Sequence, residues 1–277
     1  MKIELAGSYG FCFGVKRAIK IAENAKDAAT IGPLIHNNEE INRLKINFNV
    51  NTLQGIDELS GEKKAIIRTH GITKNDLAKL KSTNINVIDA TCPFVTKPQQ
   101  ICEKMSKEGY DIVIFGDENH PEVKGVKSYA TGKVYVILEE SELDSIKLSQ
   151  KVAVVSQTTR KVEKFMQIVN YLMLKTKEVR VFNTICNATL ENQDAVKELA
   201  TRADVMVIIG GKNSSNTKQL YLISKNFCKD SYLIENENEI DSAWFDGKSH
   251  CGVSAGASTP DWIIQNVISK IKELKKL

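Results

Sequence analysis

The sequence predicts an α/β fold of three related units, each a small parallel sheet covered by helices. Two observations carry that reading. Short runs rich in Ile and Val alternate with helical periodicity: "AIIRTHG", "DIVIFGDENH", "KVAVVSQTT", "VRVFNTIC" and "DVMVIIGGK". Continuous apolar strands joined by helices mark parallel sheets buried on both faces. In addition, a lone cysteine recurs at three strand-to-helix corners, "AGSYGFCFGV" around Cys12, "VIDATCPFV" around Cys92 and "VFNTICNAT" around Cys186.

The elements follow in order. "KIELAGS" reads as a first strand. Past Cys12, Val15, Ala18, Ala22 and Ala25 share one helix face; past Cys92, Phe94, Ile101 and Met105 do so; past Cys186, Val196, Leu199 and Ala203 do so. A near and a far polar loop follow each cysteine. They centre on His36 ("LIHNNEE") and His70 ("RTHGIT"), then His120 ("GDENHPEV") and Thr158 ("SQTTRK"), then Ser214 ("GGKNSSNT") and Ser258 ("SAGASTP"). This is an internal repeat. Its units span residues 14–92, 93–183 and 184–277, the last completed by the N-terminal strand within residues 1–13. Loops at the carboxyl ends of parallel strands face the ligand crevice. A trefoil of three pseudo-threefold-related units aims all nine loops at one centre.

Composition bounds the partners. The chain has 277 residues, 42% hydrophobic and 26% charged, an ordinary globular balance. Lys plus Arg number 38 against 34 acids, a net charge of +4 that suits an anionic ligand but is too weak and scattered for nucleic acid. "MKIELAG" lacks the apolar stretch of a signal peptide, and the longest apolar run, "VMVII", is far too short to cross a bilayer. The expected location is the cytosol, where six cysteines stay reduced unless they hold metal or do redox chemistry.

Three converging thiolates suit zinc with an open fourth position, or an iron–sulfur cubane with one iron left free. Each corner precedes a helix, whose N-terminal partial charge favours a thiolate and an anionic cluster. Cys102, Cys228 and Cys251 read instead as small core residues. Of four histidines, His36, His70 and His120 stand in the repeated loops, with Thr158, Ser214, Ser215, Asn216 and Ser258 around them. Short neutral donors and glycine-rich loops present hydroxyls, amides and backbone N–H groups to phosphate oxygens. Neither a Walker A motif nor GxGxxG occurs, so a compact diphosphate fits better than a nucleotide. Glu122 in "HPEV" repels such a ligand unless it has a proton to deliver.

Taken together, "GFCFGV", "HNNEE", "RTHGIT", "DATCPFVTK", "HPEVKG", "SQTT", "ICNAT", "KNSSNT" and "AGASTPD" make the chain resemble the 4-hydroxy-3-methylbut-2-enyl diphosphate reductases, the IspH/LytB family. The resemblance runs in unbroken order from residue 5 to near the C-terminus. It implies a trefoil around a central [4Fe–4S] cluster held by Cys12, Cys92 and Cys186, with one iron open. It also implies diphosphate binding by His36, His70, His120, Thr158, Ser214, Ser215, Asn216 and Ser258. The implied catalytic set is Glu122, Thr158 and His120, with Glu122 the proton source. The reaction it implies is reductive loss of the substrate hydroxyl to isopentenyl and dimethylallyl diphosphate, the last step of the methylerythritol phosphate route. Electrons then come from a donor such as flavodoxin or ferredoxin. Two rivals stand beside it. A zinc or redox-sensing binding protein has no need of the Ser, Asn and His loops. A cluster dehydratase in the manner of quinolinate synthase calls for arginine clamps, and here only Arg68 and Arg160 lie near the loops.

Overall fold

Twelve short strands pair into three four-stranded sheets in the computed structural model, which describes residues 1–274, and every pairing is parallel. In chain order the elements are β1 (Lys2–Leu5), α1 (Phe13–Ala25), β2 (Ala28–Ile31), α2 (Asn38–Phe48), β3 (Val50–Leu53), β4 (Lys64–Ile67), α3 (Lys74–Lys81) and β5 (Asn86–Asp89). Next come α4 (Pro93–Lys107), β6 (Asp111–Phe115), α5 (Pro121–Lys127), β7 (Val134–Ile137), β8 (Lys151–Ser156), α6 (Val162–Lys175) and β9 (Glu178–Phe182). The last are α7 (Asn187–Ala200), β10 (Val205–Ile209), α8 (Ser215–Phe227), β11 (Ser231–Ile234), β12 (His250–Ala255) and α9 (Asp261–Leu274). No helix among the described residues is long and apolar enough to cross a membrane.

The described residues form two compact units. One comprises Met1–Lys16, Ile35–Arg43 and the residues from Asn187 onward; the other comprises Arg17–Leu34 and Leu44–Cys186. The first holds one sheet, ordered β1-β12-β10-β11. The second holds two, ordered β5-β4-β2-β3 and β9-β8-β6-β7.

All three sheets share one plan. The edge strand written first runs into a cysteine: β1 into Cys12, β5 into Cys92, β9 into Cys186. Its neighbour runs into a far loop, at Ser258, His70 or Thr158, and the third strand into a near loop, at Ser214, His36 or His120. Each polar residue singled out in the sequence therefore follows the carboxyl end of a strand, and stands just before a helix or, for Glu122, Ser215 and Asn216, in its first turn.

Burial explains why the central strands read so clearly. In β10, Val205, Val207 and Ile209 pack into one core while Met206 and Ile208 pack into another on the opposite face. Side chains alternate faces along a strand, so only a strand covered on both sides is apolar throughout. Each such side chain contributes about 1.5–3 kcal/mol on burial. The sheet ordered β9-β8-β6-β7 has its own core, with Ile112, Ile114, Ala153 and Val155 packed on Cys102, Met105 and Val126.

Two helix readings need correction. On α4 the buried stripe is Val95, Pro98, Gln99, Cys102, Met105 and Ser106, and Phe94 points outward with 45% of its surface exposed. Gln99 and Ser106 occupy core positions on that stripe, which disguised its phase as one residue earlier. Ala203 lies beyond the end of α7 rather than on its face, though it still packs against Val196 and Leu199.

Candidate active site

In the larger unit the backbone places two cysteines at helix starts. Cys92 is the residue that caps α4, and Pro93 follows at the first helical position, where its missing N–H costs nothing. The Cys92 amide donates to the Thr69 carbonyl at 3.0 Å, and the Cys186 amide donates to the Thr158 carbonyl at 3.0 Å. Each cysteine loop is thus tied to the far loop of its own sheet. His70 and His120 meet edge to face, with ring centroids 5.5 Å apart. His120 also caps α5, its Nδ1 accepting from the Glu122 amide at 3.2 Å.

Glu122 and Thr158 form the most distinctive pair in this unit. The Thr158 amide donates to Glu122 Oε1 at 2.7 Å, and the Thr158 hydroxyl bonds Oε2 at 2.7 Å. Glu122 is 2% exposed. Burial pushes its carboxyl above the ordinary glutamate range; the two Thr158 bonds and the nearby Arg160 charge oppose that rise without cancelling it. The Arg160 Nε is itself held by Gln157 Oε1 at 3.2 Å. Burial thus favours the protonated form of this carboxyl, which lies in hydrogen-bond contact with a hydroxyl, the arrangement a proton relay needs.

The smaller unit assembles neutral donors. Cys12 stands directly before α1; its carbonyl accepts from the Lys16 amide at 2.9 Å and its amide donates to the Ala257 carbonyl at 3.2 Å. The next residue, Ser258, donates its hydroxyl to the His36 carbonyl at 3.1 Å. That same carbonyl lies against Gly211, where a Cβ would come within 2.5 Å of its oxygen, so only glycine allows the approach. Ser214 caps α8 by accepting from the Thr217 amide, and Ser215 and Asn216 occupy the first turn. Asn216 is 4% exposed, yet neither atom of its amide has a hydrogen-bond partner within the protein. Buried amides are rarely left so. The loops of His36, Ser214 and Ser258 thus meet, at helix starts suited to an anion.

One residue of this unit escaped the sequence reading. Glu40, 1% exposed, accepts from Arg43 at 2.6 Å and from the Trp262 indole at 3.0 Å. It ties the first turn of α2, next to His36, to the first turn of α9, next to Ser258. Its only trace in the sequence is an i,i+3 Glu–Arg pair in "EEINR".

The six cysteines divide as expected. Cys102, Cys228 and Cys251 are buried, whereas Cys12, Cys92 and Cys186 are only half-buried. Burial pushes the Cys102 and Cys251 thiols up to about 12 and raises Cys228 as well, which keeps them neutral. Cys228 sits at the end of α8 rather than on its face. The other three, each ahead of a helix, have the donor chemistry an anionic iron–sulfur cluster needs.

The family model for LytB protein matches residues 3–272. A Campylobacter concisus 4-hydroxy-3-methylbut-2-enyl diphosphate reductase is 81% identical over 274 residues, covering 99% of this chain and 100% of its own. The Campylobacter lari reductase of the same name is 73% identical over 277 residues and covers 100% of both chains. A solved structure of (E)-4-hydroxy-3-methyl-but-2-enyl diphosphate reductase, the terminal enzyme of the non-mevalonate pathway, is 44% identical with a TM-score of 0.73 over 99% of this chain and 100% of its own. The Plasmodium falciparum E-1-hydroxy-2-methyl-but-2-enyl-4-diphosphate reductase is 25% identical with a TM-score of 0.90 over 96% of this chain and 86% of its own. Motif order, three sheets of one plan and full-length identity agree: the chain belongs to the LytB family.

Proposed function

We propose that this chain reductively removes the hydroxyl of 4-hydroxy-3-methylbut-2-enyl diphosphate, giving isopentenyl diphosphate and dimethylallyl diphosphate as the last step of the methylerythritol phosphate route. The observation that carries the reading is the buried Glu122–Thr158 pair beside a perpendicular His70–His120 pair. Loss of a hydroxyl as water consumes two electrons and two protons, and a site for it needs an acid that stays protonated near neutral pH.

The ligands in this reading are Cys12, Cys92 and Cys186. They would hold a [4Fe–4S] cluster through three irons and leave the fourth open. Bound there, the cluster supplies electrons and a Lewis-acidic iron for the substrate hydroxyl. The residues of the chain supply the rest. Ser214, Ser215, Asn216 and Ser258, with His36, His70, His120 and Thr158, take the diphosphate oxygens, and the orphaned Asn216 amide is the donor and acceptor most in need of a ligand. Gripping the diphosphate fixes the hydroxyl end, so binding energy goes into orientation. Thr158 passes a proton from Glu122 to the departing oxygen, and His120, whose ring nitrogen holds the Glu122 amide, keeps that carboxyl in place. Electrons arrive from a small carrier such as flavodoxin or ferredoxin, in the reduced setting of the cytoplasm.

The test is anaerobic reconstitution followed by iron and sulfide counts, then turnover of the hydroxylated diphosphate with a reduced viologen. The expected result is about four iron and four sulfide per chain, with both isomeric diphosphates as products. Zinc without sulfide, or a loaded cluster without turnover, overturns it.

A further inference from the structure

The sheet ordered β5-β4-β2-β3 reverses its direction of travel between β2 and β4: β3 was added on one side of β2, and β4 and β5 on the other. Such a reversal opens a crevice at the carboxyl ends of the two strands. Gly32 directly follows β2 there and Arg68 directly follows β4. Gly32 has φ +73°, and a Cβ on it would fall 2.4 Å from a terminal nitrogen of Arg68. The guanidinium therefore lies across bare backbone, which an alanine would block.

Arg68 is poorly paid with partners. Its Nε donates to the Gly71 carbonyl at 3.2 Å, and among the described residues no carboxylate lies within ion-pair distance of its terminal nitrogens. Asp76 acts on it only through space, and burial pushes the guanidinium below its ordinary arginine value. This half-buried cation lines a cavity of about 260 Å³. Lys79 of α3 and Lys124 of α5 reach the same wall, and neither takes part in an ion pair among the described residues. Asp57 and Asp76 share the wall, but Asp76 is engaged by the Thr73 hydroxyl at 2.7 Å. Three cations thus face two carboxylates around one partly open cavity, with Asp57, Lys79 and Lys124 at its exposed rim.

We infer that this cavity is a binding site for a small phosphate-bearing anion, held by the Arg68 fork and flanked by Lys79 and Lys124. Arginine presents paired N–H donors that match phosphate oxygens, while lysines add charge without fixed geometry. The volume lies below the range typical of larger ligand pockets, which limits the occupant to a few heavy atoms beyond the phosphate. The wall also includes Pro121, between His120 and Glu122, and Arg68 is two residues from His70. An anion held there touches both loops.

The experiment is a calorimetric titration of the oxidised, cluster-loaded protein with inorganic phosphate at low salt, with and without saturating substrate diphosphate. One phosphate per chain should still bind when substrate is present. That binding should weaken about tenfold or more in a Lys79→Glu, Lys124→Glu double variant and in Arg68→Met, and stay unchanged in Ser214→Ala. The lysine variant keeps its cluster content and melting temperature, so it decides the matter even if Arg68→Met fails to fold. Absence of phosphate binding in the presence of substrate, binding unaltered by the lysine changes, or binding lost in Ser214→Ala overturns the inference.

Discussion

The two compact units bring different chemistries to the loops at their strand ends. In the larger, ionisable side chains are clustered: His70 lies edge to face with His120, and the Glu122 carboxyl is held by Thr158. In the smaller, apart from His36, they are Ser214, Ser215, Asn216 and Ser258, which carry no charge at any ordinary pH. Neutral donors give a grip that does not change with pH. A buried carboxyl gives a proton supply that does. The contrast sets the proposed proton donor in the larger unit apart from the neutral part of the proposed diphosphate grip, and each can be disturbed separately.

The largest effect should come from the three cysteines proposed as ligands. Replacing Cys12, Cys92 or Cys186 by Ser should abolish turnover and leave the cluster incomplete or labile, as read by iron content and visible absorbance. The same change at Cys102 or Cys251, both fully buried neutral thiols, should leave cluster and activity in place. An active, stable cluster in Cys92→Ser breaks the scheme.

Next in size is Glu122→Gln, which keeps shape and hydrogen bonding but has no proton to transfer. Its kcat should fall about 10²–10⁴-fold, with KM little changed because a neutral amide replaces a protonated acid. A near-parental rate removes Glu122 from the chemistry. Asn216→Ala or Ser214→Ala should do the reverse, weakening substrate binding by about 1–3 kcal/mol while kcat at saturation holds. Equal loss of kcat in these variants would erase the division between the two sets.

The smallest effect is on pH dependence. Burial raises the Glu122 carboxyl in the folded chain, so the native state binds its proton more tightly than the unfolded state does. Stability then declines as pH rises from the ordinary carboxylate value through the raised one, and levels off above it. The kcat profile should fall over the same upper limb. Melting curves of parent and Glu122→Gln across that range should diverge only there; parallel curves refute the assignment.

Legibility in the sequence followed burial. Strands β6, β8 and β10 are buried along their length and stood out as apolar runs. The edge strand β3 ("VNTL") is half-exposed and carries polar residues, so no run announces it, and β5 ("NVID"), also half-exposed, was legible only through the cysteine corner that follows it. The candidate site was readable because its residues recur at equivalent corners. Repetition can reveal a constellation that no single residue could. Phe94 misled for the opposite reason: the core side of α4 includes Gln99 and Ser106, and polarity hid its phase. Glu40 was missed because a buried carboxylate is visible only once Trp262, far along the chain, is seen to donate to it.

Strand β1 pairs with β12 in the register Lys2 to His250 through Leu5 to Val253, and the loop beyond it hangs on the carbonyls of Ala255 and Ala257. During synthesis, residues 2–12 leave the ribosome long before residues 250–257 exist. The Cys92 and Cys186 loops depend on Thr69 and Thr158, which are already made when each cysteine emerges. Cys12 alone must wait. The Cys12 loop, made first, is ordered last, so in the nascent chain the backbone around Cys92 and Cys186 can be set while that around Cys12 remains on a free arm. On the proposed ligation, a chain lacking β12 has no ordered Cys12 loop with which to complete the set.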